Sequence, residues 1–209
     1  MSDENRWLRK LRQDPGHSAW YIERFRSMAA TGDDLAGEAR LIDAMVPRGA
    51  RILDAGCGPG RTGAFLADAG HEVVGVDLDP ELIAAAEQDH PGPTWLVDDL
   101  ATFDLPARGV DASFDAIVCA GNVMPFLAPS THGEMLVRLR AHLGETGRAV
   151  VGFGTDRGYV VDDFLGHVEA SGLAVDLLFA TWDLRPYTPE ADFLVAILSP
   201  ADTGGETGR

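Results

Sequence analysis

The sequence predicts an α/β fold in three layers: a mostly parallel sheet of seven strands, helices on both faces, and one reversed strand near an edge. Three observations predict it. Between Arg51 and Phe153, short apolar runs alternate with helical patterns, and short connections of that kind imply right-handed crossovers and a parallel sheet. The first apolar run passes into a turn with glycine at every second position, Gly56, Gly58 and Gly60. The last two runs leave no room for a helix between them, so they pair antiparallel.

Taken in order, Met1 to about Gly16 is polar and predicted to be loosely ordered. Ala19–Ala29 suits a short amphipathic helix, with Trp20, Ile22, Phe25, Met28 and Ala29 as its apolar residues. A second helix runs to Met45, capped by Asp33 or Asp34 and ended by Pro47 and Gly49. Strands are expected at Arg51–Asp54, Glu72–Asp77, Thr94–Val97, Phe114–Cys119 and Arg148–Phe153. The helices between them are Thr62–Ala69, Pro80–Gln88 and Ser130–Leu143, and Pro106 and Gly109 leave room for only a partial helix before Phe114. A last helix, Val161–Ala170, precedes the strands Leu173–Ala180 and Asp192–Leu198, with Pro186 and Pro189 in their connection. Residues 1–34 therefore read as a helical extension placed to act as a lid, 35–199 as one ligand-binding domain, and 200–209 as a disordered tail.

Composition narrows the function. A chain of 209 residues with 45% hydrophobic residues carries one sizeable core. With 33 acidic against 17 basic residues, the net charge of −16 disfavours a nucleic-acid partner, which requires clustered Lys and Arg. Cys57 and Cys119 form no disulfide framework, no Cys/His cluster has zinc-ligand spacing, and no metal is expected. No apolar stretch approaches the ~18 residues of a membrane span, and the charged start lacks a signal-peptide core, so the expectation is a cytoplasmic protein without a membrane partner. Its oligomeric state stays open between monomer and homodimer.

Four segments carry the chemistry. In Asp54-Ala55-Gly56-Cys57-Gly58-Pro59-Gly60 an apolar strand meets an acid and then a glycine turn that opens a helix. Glycine there lets a ligand lie against the main chain, and the helix start offers free N–H groups. Asp77 ends the second strand, where a carboxylate can accept from two ribose hydroxyls, and Leu78 follows it. Asp79-Pro80 is read separately, as an N-cap with proline at N1. Asp98, Asp99 and Leu100 follow the third strand, and Ala120, Gly121 and Asn122 follow the fourth. Loop capping is the alternative role for the acids, and a turn for Asn122. Gly58-Pro59-Gly60-Arg61-Thr62-Gly63 also satisfies the dinucleotide fingerprint, with Asp77 as its ribose acid, so an NAD(P)-dependent oxidoreductase is the rival reading.

The series from Leu35 to Leu198 resembles class I S-adenosylmethionine (SAM)-dependent methyltransferases, and within them small bacterial enzymes of unassigned substrate. The resemblance implies a Rossmann-like sheet in the order 3-2-1-4-5-7-6, SAM as cofactor, and a methyl acceptor that the motifs do not name. It implies that the turn at Gly56, Cys57 and Gly58 wraps the methionine and ribose, that Asp54 approaches the amine, and that Asp77 holds the ribose. It places Leu78 on the adenine, Asp99 (or Asp98) at the adenine amino group, and the Leu100 N–H facing the ring. Ala120 and Gly121 would touch the methionyl part, and Tyr21 would cover the SAM carboxylate.

For the acceptor the expectation is a small molecule methylated at nitrogen or oxygen, with Trp20, Arg157, Tyr159, Trp182 and Arg185 at the mouth and His132 as a weaker candidate. No side chain is singled out as a general base, so a SAM-binding protein without transferase activity is the other alternative.

Overall fold

The computed structural model describes residues 3–201. Its core is a seven-stranded sheet in the order β3-β2-β1-β4-β5-β7-β6, as expected. The strands are β1 (Arg51–Ala55), β2 (Glu72–Asp77), β3 (Thr94–Val97), β4 (Phe114–Cys119), β5 (Leu143–Gly154), β6 (Leu173–Phe179) and β7 (Phe193–Pro200). β1 pairs in parallel with β2 and β4, and Leu53 stands between Val74 and Ile117. β7 runs antiparallel to both β5 and β6, which makes it the one reversed strand.

The central strands are apolar through their middles because both faces of the sheet are covered. Along β1 the two-residue period sends Leu53 and Ala55 to one face and Ile52 to the other. Leu53 joins α7 (His132–His142) and α8 (Val161–Ala170) through Met135, Leu136 and Phe164. Ile52 meets α3 (Gly37–Met45) and α4 (Arg61–Asp68) through Ile42 and Leu66, both fully buried. Side chains of this size contribute ~1.5–3 kcal/mol each when removed from water.

α5 (Pro80–Asp89) starts as the sequence indicates: Asp79 is extended and its side chain accepts from Glu81 N. α6 is a single turn, Val123–Phe126, after β4, and only a short 3-10 turn, Pro106–Arg108, interrupts the β3–β4 link.

Five expectations need correction. β5 begins at Leu143 rather than Arg148, because Leu143 already pairs with Phe114 of β4. The polar start contains a regular helix, α1 (Arg6–Gln13), capped by Asn5, whose side chain accepts from Trp7 N and Leu8 N. α2 spans His17–Ala30 and buries Ile22, but Trp20 is 54% exposed. α3 begins at Gly37 without a side-chain cap; Asp34 instead accepts from Ala36 N and holds Arg40 through both oxygens. β7 continues through Pro200, because Leu173 and Ala174 of β6 still pair with Pro200 and Ser199. The rest of the expected tail, 202–209, lies outside the described residues.

Candidate active site

A cavity of about 580 Å³ opens at the carboxyl ends of β1, β2 and β4. In an open α/β sheet that edge is where ligands bind.

Its floor is the turn after β1. Gly56 has φ +81, and a Cβ there would come within 2.3 Å of the Val123 side chain. The backbone conformation and the close approach both require glycine. Gly60, with φ +86, packs its bare Cα against Ala86 and Trp95 and starts α4. Cys57 and Gly58 lie between them on the cavity wall.

Two buried acids hold this turn. Asp54 accepts from Gly63 N at 2.8 Å through Oδ2, and burial pushes its carboxyl from the ordinary 3.8 up to about 7. Asp77 accepts from Gly58 N at 2.9 Å and from Asp79 N at 3.0 Å, and burial raises it to about 6. Both line the cavity and are less than 10% exposed. Two desolvated carboxylates side by side make a site that a cation completes.

Leu78, Asp99 and Leu100 line the wall beyond β2 and β3, and Ala120, Gly121 and Asn122 line it beyond β4. The Asn122 carboxamide oxygen accepts from Gly154 N at 2.7 Å, so the residue also ties β4 to β5.

The roof comes from α1 and α2. Tyr21 lies over Gly58, 3.7 Å from where a Cβ would stand, and meets Trp7 and Phe25 edge to face. Burial, ahead of all other influences, raises the Tyr21 hydroxyl above its usual value. Trp7 Nε1 donates to Asp79 Oδ2 at 2.8 Å, and the Ser18 hydroxyl donates to the same oxygen. The cap of α5 thus latches both roof helices, while its own N–H reaches Asp77. Arg6 donates to the Arg157 carbonyl, and Asp3 accepts from Ser130 N and Oγ.

Of the expected binding residues, Trp20, Tyr21 and Arg157 join the strand-end set on the cavity wall. Six do not. Ala55 is buried in the sheet core, and Gly60 faces Trp95. Asp98 turns away to Arg108 and to Asp99 N. Tyr159 is buried, stacked on His132 with centroids 3.9 Å apart, and its hydroxyl meets His167 Nδ1 at 2.7 Å. Trp182 covers Gly152 on β5, and Arg185 is solvent-exposed beside Asp183. His132 also stays off the cavity, where Nε2 meets the Met124 carbonyl at 3.0 Å.

The structure adds residues that sequence reasoning passed over: Trp7, Lys10, Arg24 and Arg61. Arg61 clamps both oxygens of Glu38 at 2.8 Å and reaches the Leu35 carbonyl, closing the rim beside Phe25. Its place next to the glycine turn was the available signal. For Trp7 the signal was its spacing of four from Leu11, which packs with it.

The methyltransferase-domain family matches residues 52–147. Over 90% of its length the chain is 49% identical to a TehB-like SAM-dependent methyltransferase from Corynebacterium glutamicum, all of which is covered, with a TM-score of 0.85. The chain belongs to the SAM-dependent methyltransferases. The rival dinucleotide reading of Gly58–Gly63 falls with that finding.

Curated relatives are more distant from this methyltransferase. A malonyl-[acyl-carrier protein] O-methyltransferase of Pectobacterium atrosepticum is 30% identical over 114 residues, 54% of this chain and 44% of that one. A trans-aconitate 2-methyltransferase of Azoarcus sp. is 36% identical over 115 residues, 53% and 42% of the two chains. The chain therefore spans less than half the length of the curated relatives it matches.

The cradle fits the cofactor on its own geometry: a bare turn at Gly56 and Gly58, and two buried acids facing a molecule that carries an ammonium, a sulfonium and two ribose hydroxyls. Among the described residues no group of His, Cys, Asp and Glu is arranged to hold a metal ion, and no helix is long and apolar enough to cross a membrane.

Proposed function

We propose that the protein moves the methyl group of SAM onto a nitrogen or oxygen of a small molecule. The observation that carries the reading is the pair of buried acids, Asp54 and Asp77, holding a glycine turn on the wall of a cavity under an aromatic roof. Asp54 takes the cofactor's ammonium and Asp77 its ribose hydroxyls, through charge-assisted bonds. Asp99 and the Leu100 N–H face the adenine beside Leu78, while Ala120, Gly121 and Asn122 border the methionyl end. Bound SAM supplies a methyl already activated by its sulfonium. The chain contributes alignment and dryness: the strand ends fix one partner, and Trp7, Tyr21 and Phe126 exclude water above it.

Residues 1–34 act as the lid of this site, since α1 and α2 have no place in the sheet and make the roof. The acceptor is small because roof and cradle leave one bounded cavity, and nucleic acid is disfavoured by the charge of −16.

Calorimetry with S-adenosylhomocysteine (SAH) and NADH tests the cofactor half; micromolar SAH binding with negligible NADH binding is expected, and tighter NADH binding rejects it. Radiolabelled SAM incubated with a metabolite extract, total RNA and genomic DNA tests the other half. Label is expected in small molecules, and label confined to nucleic acid overturns the reading.

A further inference from the structure

The charges around the cavity do not cancel. Among its acids, Glu38 is closed by Arg61 and Asp34 by Arg40. Asp54, Asp77 and Asp99 accept from the backbone N–H groups of Gly63, Gly58 and Ala101 and belong to the cofactor half. Three cations on the wall are left: Lys10, Arg24 and Arg157. Among the described residues, Lys10 and Arg24 have no carboxylate within ion-pair distance, and Arg157 reaches only Asp156, at 4.0 Å. A general basic surface does not explain them, because acids outnumber bases 33 to 17 and Lys10 is the only lysine of the chain.

Position divides the three. Arg24 lies three residues after Tyr21 on α2, one turn along the same face. Tyr21 covers Gly58, and Arg24, beside the Trp20 and Phe25 rings, lies on the Tyr21 side of the cavity. Arg157 lies in the loop after β5. Its side chain crosses Gly154, and a Cβ on that glycine would lie 2.9 Å from Arg157 Nε and 3.3 Å from Asn122 Oδ1. Lys10 lies one turn after Arg6 on the same face of α1, and Arg6 donates to the Arg157 carbonyl. The Lys10 ammonium lies 3.5 Å from His17 Nε2, a ring whose pKa is lowered by burial and then by Lys10 itself.

SAM brings one carboxylate, which Arg24, on the Tyr21 side, would meet. Lys10 and Arg157 are left, exposed on the cavity wall, with no closely paired carboxylate of this chain among the described residues to balance them. Trp7, Trp20 and Phe126 supply apolar wall in the same cavity. We propose that Lys10 and Arg157 form an acceptor subsite for a small molecule carrying a carboxylate on a flat apolar body. A guanidinium fork takes both carboxylate oxygens, and the ammonium adds a point charge. The inference rests on the methyltransferase reading and narrows its substrate class.

With SAH saturating, calorimetric titration with benzoate, benzamide and phenyl phosphate tests it. Benzoate is expected to bind at least about tenfold more tightly than benzamide and more tightly than phenyl phosphate. In Arg157→Gln and in Lys10→Gln that preference falls at least about fivefold with SAH affinity held within about twofold, whereas Arg24→Gln weakens SAH itself. The subsite is overturned by absent benzoate binding, by equal binding of benzoate and benzamide, or by a preference that survives both substitutions. Tighter binding of phenyl phosphate also overturns it, in favour of a phosphate site. Failure of SAH to bind the unmodified protein rejects the methyltransferase reading instead.

Discussion

The cradle at the strand ends and the roof above it enclose one cavity, but different forces hold them. The cradle belongs to the sheet: Asp54 and Asp77 sit in strands paired on both sides, and Gly56 N and Cys57 N both donate to the Val76 carbonyl. The roof has no such ladder. Two helices rest on a small aromatic cluster and a few side-chain bonds to Asp79, Arg157, Ser130 and Asp89. Segments held this way open at low free-energy cost, and lids are drawn from them. On the proposed reading, ligand enters and leaves by loss of roof contacts, while Asp54 and Asp77 stay in place.

The largest test strikes the cradle. Asp77→Ala removes a carboxylate assigned to two hydroxyls, and such bonds are worth ~1.5–3 kcal/mol. SAH affinity should fall about 10- to 150-fold by calorimetry; unchanged affinity would dissociate Asp77 from the cofactor.

Next comes pH. Asp54 and Asp77 stand at about 7 and about 6 in the folded protein, against an ordinary 3.8. The folded state then holds more protons than the unfolded state across that interval. Stability from these groups is complete at acid pH and is lost as pH rises from about 4 through about 7. SAM, bearing an ammonium and a sulfonium, favours the ionised acids and restores what was lost. Each tenfold change in proton affinity is about 1.4 kcal/mol, or ~2–4 °C in Tm for a domain of this size. Thermal shift by SAM should exceed its pH 5 value by several degrees at pH 7.5. A shift equal at both pH values would mean that no cation reaches these acids.

The roof is tested by Trp7→Phe, which keeps an aromatic ring and removes the bond to Asp79 Oδ2. A hydrogen bond to a charged acceptor is worth ~1.5–3 kcal/mol, so SAH should dissociate at least about fivefold faster. Hydrogen exchange should quicken in residues 6–30 and stay unchanged in β1 and β4. Uniform acceleration would show roof and cradle to be one cooperative unit. In the unaltered protein, SAH should slow exchange across 17–30, and identical traces with and without it would remove the lid. The smallest effect belongs to Arg185→Ala: an exposed side chain beyond the cavity should leave SAH affinity and label transfer within about twofold.

The same contrast explains what the sequence made legible. Glu72–Asp77, Phe114–Cys119 and Val161–Ala170 have the bounds that their apolar patterns indicate, and the sheet order follows the family resemblance. A strand end fixes where the next residue stands, so Asp54, Asp77 and Asp99 could be placed from neighbours in sequence. The roof depends on contacts distant along the chain, such as Trp7 with Asp79, 72 residues apart. No local pattern encodes that meeting, although the spacing of Trp7 and Leu11 marks the face of α1 that is buried. Tyr159 and Trp182 show the converse. Both follow strands at the correct edge, yet each found a partner in the core, His132 with His167 for one and Gly152 for the other.

The bond between Arg6 and Arg157 joins residues 151 positions apart. On a ribosome adding ~5–20 residues per second, α1 emerges ~8–30 s before its last anchor exists. Among the described helices, the first in sequence waits for an anchor made 151 residues later. Trp7, Leu11 and Ile22 wait first for Leu82, Ala85 and Phe126, which cover them, and the charges around Trp7 keep the waiting segment in water until those residues arrive.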